Sequence, residues 1–332
     1  MTSPATLRAA GASDNEPGAA NPSRGRRAGG RRPRSSRRRG EGRAAWLLLT
    51  PWTAGALLLT IGPAAVSLYL SFTDYNLFDP PHWIGLRNYT AMFTRDPRYW
   101  DAVRVTARYV VLVVPIKLAL ALAVALLLNR KRRGQGFYRS AFYAPSLLGA
   151  SVAVALVWRA LFSTGGTVDH LLSDIGIHTG GWIDQPQYAL YTLVLLGAWQ
   201  FGAPMVIFLA GLKQIPGDLY EAAAIDGAGP IRRFWSVTVP MLSPVLLFNL
   251  VLETIHAFQA FTGAFIVSSG RGGPGDSTLF YTLYLYQRGF TDFRMGYASA
   301  MAWVLLLALG ALTLVLFGTA RRWVFYAGQE RA

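Results

Sequence analysis

Residues 218–240, DLYEAAAIDGAGPIRRFWSVTVP, form a polar, glycine-broken stretch between two segments apolar enough to span a membrane. Asp218 precedes Glu221 by three residues, the spacing of an N-cap and its capping-box partner. Pro216 and Gly217 lie just ahead, so a short helix is expected to start at Leu219 and run through Ala222 and Ala223. Gly227 and Gly229 supply stop signals, and Pro230 suits the first turn of a new helix. The stretch reads as helix, tight turn, helix over about 216–236, a knob that a soluble partner can grip and push.

Outward from this knob the chain reads as all-α and polytopic. A bilayer core needs about 20 mostly apolar residues per helix. Six segments qualify: 44–72, 109–128, 142–162, 188–212, 237–267 and 297–320. Orientation follows from the distribution of Lys and Arg. With the N-terminus inside, the inner segments carry 22 basic residues and the outer loops 8. Both termini and the 216–236 hairpin are therefore expected on the cytoplasmic side. Residues 1–43 hold eleven arginines against Asp14, Glu16 and Glu41 and are rich in Gly, Pro, Ser and Ala. That composition cannot bury a core, so a disordered cytoplasmic tail facing anionic lipid is expected, with no nucleic-acid partner. Residues 44–325 form the membrane domain, and 326–332 a short cytoplasmic tail.

Composition removes several function classes. The chain is 52% hydrophobic and 15% charged, with a mean hydropathy of +0.30, too apolar for an ordinary soluble globule. It has no cysteine, so disulfides, zinc–thiolate sites and thiol catalysis are excluded. The histidines at 82, 170, 178 and 256 lack metal-ligand spacing. No GxxxxGK[ST] loop is present, so any nucleotide hydrolysis belongs to another polypeptide. No internal repeat is visible.

The pattern Glu221-Ala222-Ala223, three residues, Gly227, nine residues, then Val237-Thr238-Val239-Pro240 resembles the EAA motif of ABC-importer permeases, with Val at two aliphatic positions. TDYNLF (73–78), IGLRNYTAMF (84–93), NRKRRGQGFYRSAFYAPSLL (129–148) and GGPGDSTLFYTLYLYQRGFTDFRMGYASAMAWVLLL (272–307) resemble the sugar-importer branch that includes maltose and glycerol-phosphate permeases. The resemblance covers about 44–325. It implies a type I permease fold in a bacterial plasma membrane and transport of a sugar or related polar solute. The implied partners are a second homologous permease, two ATPase subunits that bind ATP and Mg, and an extracytoplasmic solute-binding protein. The chain itself is expected to bind no cofactor and to catalyse no reaction. Glu221, Ala222, Ala223, Asp226 and Gly227 are the implied ATPase-coupling residues.

A second constellation lies in VLLFNLVLETIHAFQAF (245–261). Asn249, Glu253 and His256 are spaced by four and three residues and share one helical face, with Gln259 on its flank. A carboxylate near mid-bilayer costs roughly 2.5–3.5 kcal/mol on insertion scales. Such a residue faces a water-filled path or a partner helix. The stripe therefore reads either as pathway lining or as a polar seam between subunits, with Glu253 paired to His256 or to a second chain. Trp199 and Gln200 combine an aromatic face with an amide, a pairing that holds sugars, although a membrane tryptophan also serves as packing. Lys117, in VVPIKLALAL (112–121), either pairs with an acid or snorkels. Asn88-Tyr89-Thr90 fits a glycosylation sequon too short to carry weight. The rival reading is a secondary transporter driven by an ion gradient, with Glu253 and His256 as a proton relay.

Overall fold

The computed structural model describes residues 37–130, 133–149, 151–176 and 180–325. The expected disordered tail lies, over residues 1–36, outside the described residues, as does the short tail 326–332. The chain divides into two units, Met1–Leu59 and Thr60–Ala332. In the first, α1 (Arg37–Ala56) is a helix that accommodates Pro51 and starts within the stretch read as tail.

The regular elements of the second unit, among its described residues, are helices. The unit contains α2 (Gly62–Ser71), α3 (Arg87–Thr94), α4 (Pro97–Asn129), α5 (Gln135–Leu148), α6 (Val152–Phe162) and α7 (Thr167–Asp174). There follow α8 (Pro186–Trp199), α9 (Gly202–Leu212), α10 (Gly217–Ile225), α11 (Pro230–Arg233), α12 (Val239–Phe258), α13 (Thr262–Val267), α14 (Tyr281–Tyr286) and α15 (Met295–Trp323). Among the described residues, the extended pairing is a single antiparallel bridge, Thr73–Trp83.

Four stretches are long and apolar enough to cross a bilayer unbroken: Leu48–Ser71, Pro97–Asn129, Pro230–Val267 and Met295–Trp323. Two bent pairs bring the number to six if each is one span. These are Gln135–Leu148 with Val152–Asp174, bent by 90°, and Pro186–Trp199 with Gly202–Leu212, bent by 42°. All six expected segments are thus helical, but their bounds shift. The second begins at Pro97 rather than 109, because Asp96 caps it by accepting from Tyr99 N and Pro97 occupies the first turn. Residues 97–108, read as outer loop, extend that helix. The fifth runs in from α11 through a wide π turn at Phe234–Thr238. Pro240 explains the turn, since its missing N–H leaves one carbonyl without the usual i+4 donor.

The centre of the second unit is α4, which packs on α8, α9, α12 and α14, while α15 packs on α2 and α12. Lipid tails are as apolar as leucine, so helices here associate through close packing rather than through expulsion of water. Two glycines mark the closest approaches. A Cβ at Gly197 would meet Tyr109 Oη at 2.6 Å, and one at Gly202 would meet the Phe142 carbonyl oxygen at 2.6 Å. The Asn88 amide is buried and donates to the carbonyls of Ser71 and Thr73. It ties α3 to the end of α2, a structural use of the sequon asparagine.

Candidate functional site

The hairpin forms, with one change in its start. Pro216, with extended backbone, is the N-cap of α10, and Gly217 opens the helix. Asp218 therefore lies inside the first turn, where it suits the helix dipole, and no side-chain cap bond forms. The expected capping box between Asp218 and Glu221 is corrected on this point: proline already fixes the entry one residue too early for Asp218 to cap. The C-terminal signals act as expected at Gly227. It takes φ +75°, its N–H donates to Ala224 O, and Ala228 N donates to Ala223 O. Gly229 is the N-cap of α11 rather than a stop. Arg233 Nε donates to the Ala228 carbonyl at 2.7 Å, and Tyr220 Oη meets Thr238 Oγ1 at 3.0 Å, bracing the knob against the following span. Glu221, Ala222, Asp226 and Gly227 are exposed, and Ala223 is half-buried. Ile225 and Ile231 are also exposed, at 87% and 77%.

Within the helical body, a cavity of about 480 Å³ lies among α4, α5, α8, α12 and α13. Tyr109, Val113 and Lys117 reach it from one face of α4, Gln200 from the α8–α9 break, and Glu253 and His256 from α12. Lys117 Nζ lies 2.6 Å from Glu253 Oε2, with side-chain exposures of 14% and 9%. Burial of the carboxylate is thus compensated inside this chain, and the expected pairing of Glu253 with His256 or with a second chain is replaced by one with Lys117. Lysine is the partner because α4 packs directly on α12 and sets the Lys117 ammonium against the carboxylate.

The stripe divides. His256 and Gln259 are open to the cavity beside Glu253, while Asn249 sits one turn nearer the hairpin, 1% exposed. Asn249 does not line the cavity, and its Nδ2 has no hydrogen-bond partner among the described residues. Gln200 is a wall residue, but its amide is engaged. Nε2 donates to the carbonyl of Gly149 at 3.0 Å and weakly to that of Leu196. Ser146 Oγ donates to the Gln200 carbonyl and accepts from Ala203 N. The two bent spans are thereby stitched together at their breaks, where freed backbone groups need partners. Trp199 is not part of the cavity wall. Its ring lies 6.3 Å from that of Trp158.

Sequence reasoning misses Tyr109 and Ser146. The i, i+4, i+8 spacing of Tyr109, Val113 and Lys117 is a usable signal. Nothing local marks Ser146, whose partner is distant in sequence.

At the end of α4 away from the hairpin, Asp96 Oδ2 accepts from Tyr284 Oη at 2.5 Å, Tyr297 Oη at 2.7 Å and Arg288 Nη2 at 3.1 Å. Burial alone would raise the Asp96 carboxyl. The two tyrosine hydrogen bonds, the Arg288 charge and the Tyr99 N–H outweigh that and hold it below the ordinary carboxylate value. Arg98 closes the same end by a fork to Asp276 at 2.8 and 2.9 Å. Groups of three or more potential metal ligands are absent among the described residues.

Residues 117–324 match the family described as binding-protein-dependent transport system inner membrane component. The "Probable ABC transporter permease protein YesP" of Bacillus subtilis is 49% identical over 86% of this chain and 93% of its own. The lactose transport system permease protein LacF of Rhizobium radiobacter is 33% identical over 83% of this chain and 93% of its own. A solved bacterial ABC transporter involved in the import of the acidic polysaccharide alginate shares the fold. It superposes with a TM-score of 0.73 at 21% identity over 86% of this chain and 99% of that one. The matched span begins at the lysine of the buried ion pair and ends with the last long helix, and the chain belongs to this family as a multi-pass plasma-membrane permease of bacterial ABC importers.

Proposed function

We propose that this permease carries a sugar or a related polar solute, and that the cavity between α4 and α12 is part of its path. The observation that carries the reading is the cavity wall itself. It places Lys117, Glu253, His256 and Gln259 around about 480 Å³ in the body of the spans. Polar and ionised groups at that depth are costly unless they face a partner or a water-filled route. LacF is named for lactose transport, which favours a carbohydrate cargo here.

The chain lacks a nucleotide-binding loop, so ATP and Mg are assigned to two partner ATPase subunits. The exposed knob at 216–236, with Ile225 and Ile231 unprotected beside Gly227, has the rigid, partly apolar surface that docking into an ATPase cleft needs. A second permease and an extracytoplasmic binding protein complete the complex. The distribution of 22 inner against 8 outer basic residues supports cytoplasmic termini. Coupling then means that the knob makes different partner contacts in two states, which switch the cavity between the two sides.

Tagging this chain, identifying its co-purifying subunits and measuring uptake in vesicles tests the reading. ATP-dependent uptake that persists with an uncoupler is expected. Uptake that survives loss of the ATPase and collapses with the uncoupler would establish instead a proton relay through Glu253 and His256.

A further inference from the structure

The knob and its span leave the opposite end of α12 unexplained. Beyond α13 a second cavity, of about 500 Å³, opens between the end of α6, residues 183–184 and the loop 268–278. Two guanidinium side chains line it, Arg159 and Arg271. Neither belongs to an ion pair among the described residues, and Arg159 has only a long 3.4 Å hydrogen bond to the Ile266 carbonyl. The carboxylate on the same wall, Asp184, is already engaged. Its Oδ2 accepts from Thr164 N at 2.9 Å and Thr164 Oγ1 at 2.8 Å.

A separate observation comes from the floor. Thr278 lines the cavity, is 1% exposed, and its hydroxyl has no hydrogen-bond partner among the described residues. Buried hydroxyls are nearly always paired. Here the loop makes room for the hydroxyl, since a Cβ at Gly273 would stand 2.4 Å from Thr278 Oγ1.

We propose that this cavity receives the oxyanion group, carboxylate or phosphate, of a small solute before it enters the deeper cavity. Guanidinium groups only donate, in a planar fork that matches a carboxylate or phosphate edge. The unpartnered Thr278 hydroxyl lies at the floor, and Asp184 is tied to Thr164 through Oδ2, which leaves two guanidinium groups against one carboxylate on the lining. The place on the route follows from α13, which walls both cavities: Thr262 and Ala264 border the deeper one and Val267 the outer. Three residues of helix, about 4.5 Å, separate Ala264 from Val267, within the length of a small glycoside. This place on the route rests on the permease reading above; the anion preference does not.

The cysteine-free chain allows a direct test in the assembled complex. Ser269→Cys, on the cavity lining, is labelled with sulfonatoethyl or trimethylammonioethyl methanethiosulfonate, each rate divided by that reagent's rate with 2-mercaptoethanol. The anionic reagent should be favoured by about tenfold or more, the range over which a charged cleft concentrates ligands. Arg159→Gln together with Arg271→Gln should bring the ratio to near one. Galacturonate or glucose 6-phosphate should slow labelling in the parent, whereas galactose and glucose should not. Ser163→Cys, on the same cavity, repeats the measurement from another position. A parent ratio near one, equal protection by neutral sugars, or thiols unreactive at both positions would overturn the proposal. Labelling needs no turnover, so a failure of the permease reading would show separately, as absent ATP-dependent uptake with the anion preference intact.

Discussion

Lys117 and Glu253 form an ion pair of 2.6 Å between α4 and α12, on the wall of the deeper cavity. The pair explains how α12 tolerates a carboxylate among apolar turns: each charge removes the other's need for water. Taking away one member of a buried pair costs about 3–5 kcal/mol, whereas replacing both by apolar groups is often neutral. Lys117→Met should therefore lower the yield of folded protein, and Lys117→Met with Glu253→Leu should restore most of it. Size-exclusion chromatography of a fluorescent fusion reads both. A double variant as poor as the single would show that the two charges do not compensate each other.

The hairpin should be separable from folding. Glu221 is exposed and makes no side-chain cap bond. Gly227 sits at φ +75°, and a Cβ added there would meet nothing within 4 Å. Glu221→Lys should leave membrane insertion unchanged while weakening association with the ATPase or its transport-coupled hydrolysis. Gly227→Pro forces φ near −65° and should uncouple more severely. Unchanged ATPase binding and uptake in both would remove the hairpin from the mechanism.

The stitched breaks give a packing prediction. A methyl at Gly202 would press on the Phe142 carbonyl at 2.6 Å, Ser146 Oγ and Tyr143 Cα. Because backbone rather than a flexible side chain must yield, Gly202→Ala should destabilise by about 1–3 kcal/mol. Gly310→Ala, with nothing within 4 Å, should be neutral or stabilising by up to about 1 kcal/mol through helix propensity. Thermal unfolding in detergent compares them, and equal effects would contradict the close crossing of α5 and α9.

Much of the fold is legible in the sequence. The EAA pattern, the αL glycine at 227 and the apolar runs follow from local rules of turn chemistry and bilayer length. The bounds are less legible. Residues 97–108 look like a charged loop because Arg98, Asp101, Arg104 and Arg108 interrupt the apolar run, but helix formation there is decided by the Asp96 cap and by packing. In the site, the period of α12 groups Glu253, His256 and Gln259, which line one cavity. It cannot separate Asn249, nor name the partner of Glu253, because both depend on which helix lies opposite. Trp199 shows the same limit, since its neighbour Trp158 belongs to another span.

The network at Asp96 links stability to pH. Its carboxyl is held below the ordinary value of about 3.9, so its contribution is fully present above that pH and is lost as pH falls through the lower, folded value. Asp96→Asn should reduce thermal stability at pH 7 by the equivalent of about 1.5–3 kcal/mol, the worth of hydrogen bonds to a charged group. The difference between parent and variant should be unchanged at pH 5 and shrink below about pH 4. A difference that grew on acidification would contradict the assignment.

The path itself is tested most directly at His256, which is exposed on the cavity wall. In the assembled complex, His256→Cys should react slowly with an impermeant thiol reagent at rest. The rate should change when ATP and loaded binding protein are supplied, and fall when the transported solute is in excess. A rate that is identical in all three conditions would contradict a route for solute between α4 and α12.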